Sequence, residues 1–232
     1  MTDETTLKIL DAAMMHVPFD GWSETTFRAA AADAGVDPVV ARALLPRGAV
    51  DLALAYHRRG DDLMAERLGQ TDMSAMKFRD KVATAVRLRL EVVEDREVVR
   101  RGTTLFALPM HAADGARAIW GTADRIWTEL GDTSDDINWY TKRATLSGVY
   151  SSTVLYWLGD DSLDGQATWD FLDRRIGDVM KIEEVKAQVR DNAVLSKVFA
   201  GPAWLLSKVK APGAMSRSDL PGRWTTPGQS PR

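Results

Sequence analysis

Three histidines, His16, His57 and His111, are the only imidazoles among 232 residues, and none lies within helical reach of another. A di-iron carboxylate site needs Glu-x-x-His pairs and a zinc protease needs His-Glu-x-x-His, because ligands three or four apart share a helical face. Neither pattern occurs. Cysteine is absent, which removes thiol nucleophiles, disulfides and thiolate-held metal and fits a reducing compartment. Serine nucleophile elbows, Walker loops and GxGxxG are missing as well, and the paired acids Asp135/Asp136 and Asp160/Asp161 fall at expected helix ends, where capping accounts for them. The residues therefore name no catalytic group, no metal and no cofactor, and the chain reads as not an enzyme.

A clearer chemistry sits near the C-terminus. There Val198, Phe199, Leu205 and Leu206 are apolar and Lys208 and Lys210 stand alongside. Apolar side chains of this size are worth at most roughly 1.5 to 3 kcal/mol each when buried, and a lysine near anionic lipid adds about 1 kcal/mol, so reversible membrane contact is one reading. The other is that this segment covers the body of the protein or a partner subunit. Gly201-Pro202 splits it, since proline removes a helical hydrogen bond. Charge supports the first reading: residues 191–232 hold six basic side chains against two acids, in a chain of net charge −3.

These groups must be positioned by helices. The organising stretch is residues 131–160, which opens on Asp132, Thr133, Ser134, Asp135 and Asp136, a set of acceptors and negative charge suited to a helix N-terminus. Beyond it Leu146, Val149, Tyr150, Thr153, Val154 and Trp157 recur at helical spacing, while Ala144, Ser147, Gly148, Ser151 and Ser152 form a strip of small residues. Such a strip admits a closely packed second helix or leaves room for a long thin ligand. In the preceding amphipathic helix, Ile119 and Ile126 share a face, as do Trp120 and Trp127.

Upstream, Leu7, Leu10 and Met14 mark a first helix that Val17-Pro18 should stop, with residues 19–22 as a turn. Ser23 caps a second helix, and Asp37 with Pro38 opens a short third one. This is a helix-turn-helix pattern, the N-terminal arrangement of TetR-type regulators. Its third helix carries a single arginine, however, and residues 1–48 hold four basic side chains against seven acids, so phosphate contacts are not provided for. Long helices over residues 49–68 and 74–93 follow, the second with Lys77, Arg79, Arg87 and Arg89 outside its apolar stripe. Another ends before Pro109, and the last runs from Gln166 with Trp169, Leu172 and Ile176 on one side. The expected architecture is all-α: a degenerate helix-turn-helix over 1–48, a helical ligand-binding and dimerisation body over 49–190, an amphipathic segment over 191–210 and a flexible tail over 211–232. No early apolar run resembles a signal peptide and no run reaches a membrane span, which implies a cytoplasmic protein.

Asp20-Gly21-Trp22-Ser23, Leu45-Pro46-Arg47-Gly48-Ala49-Val50-Asp51-Leu52, Trp169-x-Phe171-Leu172 and above all Asn138-Trp139-Tyr140-Thr141-Lys142-Arg143-Ala144 resemble one family. It is the TetR-like lipid-binding accessory protein of coenzyme Q (ubiquinone) biosynthesis, ninth member of the coenzyme Q set, and the similarity runs from about residue 7 to 185. The resemblance implies a non-enzymatic homodimer that binds isoprenoid lipid or a quinone intermediate in a hydrophobic pocket. It further implies a peripheral position on the inner membrane surface through a C-terminal amphipathic helix, and presentation of the intermediate to the di-iron demethoxyubiquinone hydroxylase. The family's partner patch corresponds to Ile126, Trp139 and Tyr140, and a structural ion pair beside it to Asp124 and Arg143. Gly201-Pro202 departs from the family's membrane helix. The rival reading is a TetR-type ligand-responsive transcriptional regulator; the resemblance implies no nucleic acid.

Overall fold

The computed structural model describes residues 3–191 and Ala211, with side chains described through residue 181 and at Ala211. The expected membrane residues Val198, Phe199, Leu205, Leu206, Lys208 and Lys210, and the 191–210 and 211–232 segments apart from Asp191 and Ala211, lie outside this range. Ten α-helices and one 3-10 turn form the described residues, with no strand among them.

Capping sets the N-terminal boundaries. Asp3 accepts from the Thr5 and Thr6 amides to open α1 (Glu4–Ala13). Residues 17–20, expected as a stop and a turn, instead make one helical turn, α2 (Val17–Asp20), because Pro18 lies in its first turn, where a missing N–H costs nothing. Ser23 caps α3 (Glu24–Asp33), and Asp37 caps α4 (Pro38–Leu44) through the Val39 and Val40 amides. Arg42, the only arginine on α4, pairs with Glu24 and lies 4.4 Å over the Phe27 ring.

The helix α5 (Ala49–Gln70) is the spine. At 1.5 Å per residue it passes through both cores: Leu52, Ala53 and Ala55 pack with Ile9, Leu10, Phe27 and Val98 at one end, and Met64 and Leu68 pack with Val86, Ile126 and Leu146 at the other. The N-terminal core includes Ala49, Leu52, Ala53 and Ala55 of α5. Gly48 has φ +57, and a Cβ would meet the Arg42 and Glu24 side chains at 2.8 and 3.0 Å. Next come α6 (Phe78–Glu91), which begins later than its periodicity suggests, and α7 (Arg96–Ala107). α8 (Ala112–Glu129) lies against both α5 and α9 (Ile137–Leu158), and α10 (Gln166–Asp191) covers α9 and α6. The 3-10 turn Leu163–Gly165 joins α9 to α10.

Candidate functional site

Two features stand out: a cavity between α5, α6, α7, α8 and α9, and an aromatic and ionic cluster where α8 meets the start of α9.

The cavity has a volume of about 510 Å³, within the range of small-molecule pockets. Its wall is largely apolar, with Trp22, Leu90, Val93, Phe106, Ile119 and Val154 among its lining. Ser151 of the small-residue strip lines it too, while Gly148 faces open space. The strip is therefore split between the cavity and the outer surface, and among the described residues no helix packs onto Gly148.

One edge of the cavity is polar. Arg89, expected outside the apolar stripe of α6, is 4% exposed. It donates Nε–H to Asp61 at 2.7 Å and Nη2–H to the His57 carbonyl at 3.1 Å. Its guanidinium lies on the α5 backbone at Gly60, where a Cβ would stand 2.6 Å from it; this is why a glycine sits in the middle of α5. Thr122 of α8 donates to Asp61 at 2.9 Å. His57 Nε2 lies 2.7 Å from Thr122 Oγ1 and 3.1 Å from the Ala118 carbonyl. A carbonyl only accepts, so the proton sits on Nε2. Burial lowers the His57 pKa to about 4, Asp61 opposing and Arg89 assisting, so the imidazole is neutral near pH 7. Burial also raises the phenols of Tyr56 and Tyr150, keeping both as hydroxyls. Sequence reading names His57, Arg89 and Tyr150 but assigns none of these polar residues to a site; the one signal that could have found it is Gly60, an interior helix glycine one position before Asp61.

At the second feature, Asp136 caps α9 by accepting from the Asn138 amide at 2.9 Å. Trp139 and Tyr140 follow at once, both half-buried, with ring centroids 4.8 Å apart in an edge arrangement. Trp120 of α8 reaches both, at 6.0 and 6.5 Å. Adjacent helical positions diverge, yet here the two rings meet, with Trp120 against both.

Arg143 is 2% exposed and lies 4.0 Å over the Trp139 ring. Its Nε is 2.5 Å from Asp124 Oδ1 and its Nη1 is 3.0 Å from Asp132 Oδ2. The structure thus brings Asp124 and Arg143 together and adds Asp132, whose sequence reading was as a helix-start acid. Asp132 also takes the Lys142 ammonium at 2.7 Å. Burial acts to raise the Asp132 pKa, but hydrogen bonds from Lys142, Ser134 and Arg143 outweigh it and hold the group at about 2. Lys142 in turn lies 5.2 Å over the Trp127 ring, which stacks on Phe78.

Ile126, by contrast, has no exposed surface among the described residues and packs in the larger core, where it anchors α8. Among the described residues no group of His, Asp and Glu is placed to hold a metal ion, and no described helix is long and apolar enough to cross a membrane.

Residues 112–183, which span α8, α9 and most of α10, match the COQ9 family model. The chain is 30% identical to a probable ubiquinone biosynthesis protein coq9, mitochondrial, of Dictyostelium discoideum, over 81% of this chain and 64% of that protein. It is 30% identical to the mitochondrial ubiquinone biosynthesis protein COQ9 of Rattus norvegicus, over 79% and 61%, and 31% identical to that of Drosophila melanogaster, over 80% and 58%. It thus spans roughly three fifths of the length of these curated relatives. A TetR transcriptional regulator from Nitrosomonas europaea superposes with a TM-score of 0.61 at 18% identity, covering 75% of this chain and 97% of the regulator. That likeness establishes a TetR-like all-α fold.

Proposed function

The chain carries a COQ9 family domain over residues 112–183, and from that premise we propose that it is a non-enzymatic accessory protein of ubiquinone biosynthesis that binds polyprenyl quinone intermediates. The cavity of about 510 Å³ carries this reading, since its apolar wall suits an isoprenoid and several of its lining residues, from Ala112 to Leu155, fall in the matched domain. Affinity comes from removing apolar surface from water, at roughly 25 cal/mol per Å².

In this reading the protein works as a homodimer, peripheral on the inner membrane surface, and presents its lipid to the di-iron demethoxyubiquinone hydroxylase through Trp139 and Tyr140. The half-buried pair is suited to that role: Arg143, Asp124 and Asp132 hold the start of α9 rigid beneath it. Aromatic side chains fixed in this way anchor interfaces at low entropic cost. The regulator reading draws less support, because α4 exposes Val39 and Val40 and its one arginine is engaged with Glu24.

The test is mass spectrometry of lipid co-purifying with the native protein, compared with bulk lipid of the same cells. Enriched polyprenyl quinones or their precursors are expected. Bulk phospholipid alone, or an empty cavity, overturns the reading.

A further inference from the structure

The polar edge of the cavity holds hydrogen-bonding capacity that the fold does not use. His57 spends Nε2–H on Ala118 and Thr122, which leaves Nδ1 as a lone-pair acceptor with no hydrogen-bond partner among the described residues. The 19% of its side chain that stays exposed belongs to a residue of the cavity wall. Tyr56, half-buried on the same wall against Trp22, makes no hydrogen bond through its hydroxyl among the described residues. Arg89, also on that wall, uses Nε and Nη2 but not Nη1.

An apolar tail needs none of this. Buried polar groups cost free energy unless paired, so a cavity evolved only for hydrocarbon would replace them. Asp61 and Thr122 instead fix the guanidinium and imidazole in place. An acceptor with donors on the same wall is complementary to a hydroxyl on an aromatic ring, which can give a proton to one and take one from another.

We propose that His57 is a specificity-determining residue that accepts a hydrogen bond from a phenolic hydroxyl of the bound lipid, with Tyr56 and Arg89 as donors to the ligand's oxygens. This rests on the lipid-binding reading and narrows it to prenylated phenols or hydroquinones, in preference to prenyl compounds that lack an O–H. The depressed basicity of His57 agrees with this, because a protonated imidazole has no lone pair to offer.

The test compares three ligands sharing one tail, a farnesylated phenol, its methyl ether and the hydrocarbon farnesane, by calorimetric titration of the full chain. The phenol is expected to bind about tenfold more tightly than the ether. His57→Gln keeps an N–H near the Nε2 position and moves the acceptor away from the Nδ1 position, so it should bring the phenol and ether affinities together. Equal binding of phenol and ether by the unaltered protein overturns the proposal while lipid binding stands, and this comparison depends on no variant. Failure of all three ligands overturns both.

Discussion

His57 ties stability to pH. Its ordinary pKa is 6.5 and the folded value is about 4, so between those values the unfolded chain binds a proton that the folded protein refuses. Stability therefore rises with pH across this window and is lost as pH falls through it. One unit is worth about 1.4 kcal/mol, so acidifying from pH 7 to pH 5 should cost about 2 kcal/mol at this residue. Urea unfolding at the two pH values measures it, and His57→Gln should lack that component; equal slopes for the two proteins would contradict the neutral buried imidazole. Asp132 acts lower, its contribution disappearing as pH falls through about 2. Sequence reading sees His57 as an isolated imidazole and Arg89 as a solvated charge, because both partners, Asp61 and Thr122, depend on how α6 and α8 dock on α5. Trp139, Tyr140 and Arg143 are legible for the opposite reason: they sit within five consecutive positions of a distinctive motif.

Helix starts follow closely from local chemistry, since Ser23, Asp37 and Asp136 each cap with their own side chain. Docking does not. The small-residue strip of α9 left two outcomes open, and Ser151 lines a cavity while Gly148 faces outward. Interior glycines separate the two kinds of information. Gly121 on α8 has open space at its Cβ direction and Gly60 on α5 has the Arg89 guanidinium 2.6 Å away. Replacing Gly121 by Ala should stabilise by about 0.5 to 1 kcal/mol, as helix propensity dictates. Gly60→Ala should instead destabilise by about 2 kcal/mol, because Arg89 must leave Asp61 or the helices must part. Chemical denaturation of both variants reads the two signs; a stabilised Gly60→Ala would mean that α6 is not locked to α5 by that ion pair.

For the molecule as a whole, the question is where the proposed membrane contact lies relative to the aromatic pair. The segment 192–210 connects two described points, Asp191 at the end of α10 and Ala211. Ala211 is buried, and its amide donates to the Asp135 carbonyl at 2.8 Å. Asp135 immediately precedes the cap of α9, four residues before Trp139. Ala211, and not the segment before it, is thus the described point of contact beside the end of the molecule that carries Trp139 and Tyr140. If attachment is electrostatic, Lys208→Glu with Lys210→Glu replaces attraction by repulsion at about 1 kcal/mol per charge step. Binding to vesicles containing anionic phospholipid should fall by more than tenfold, with a steep dependence on salt in the unaltered protein. The same variant should keep its hydroxylase binding in detergent, whereas replacing Trp139 and Tyr140 by polar residues should lose the hydroxylase and keep the vesicles. Vesicle binding unchanged by charge reversal would reject the tail as the anchor, and loss of both activities in either variant would show that the two surfaces are one.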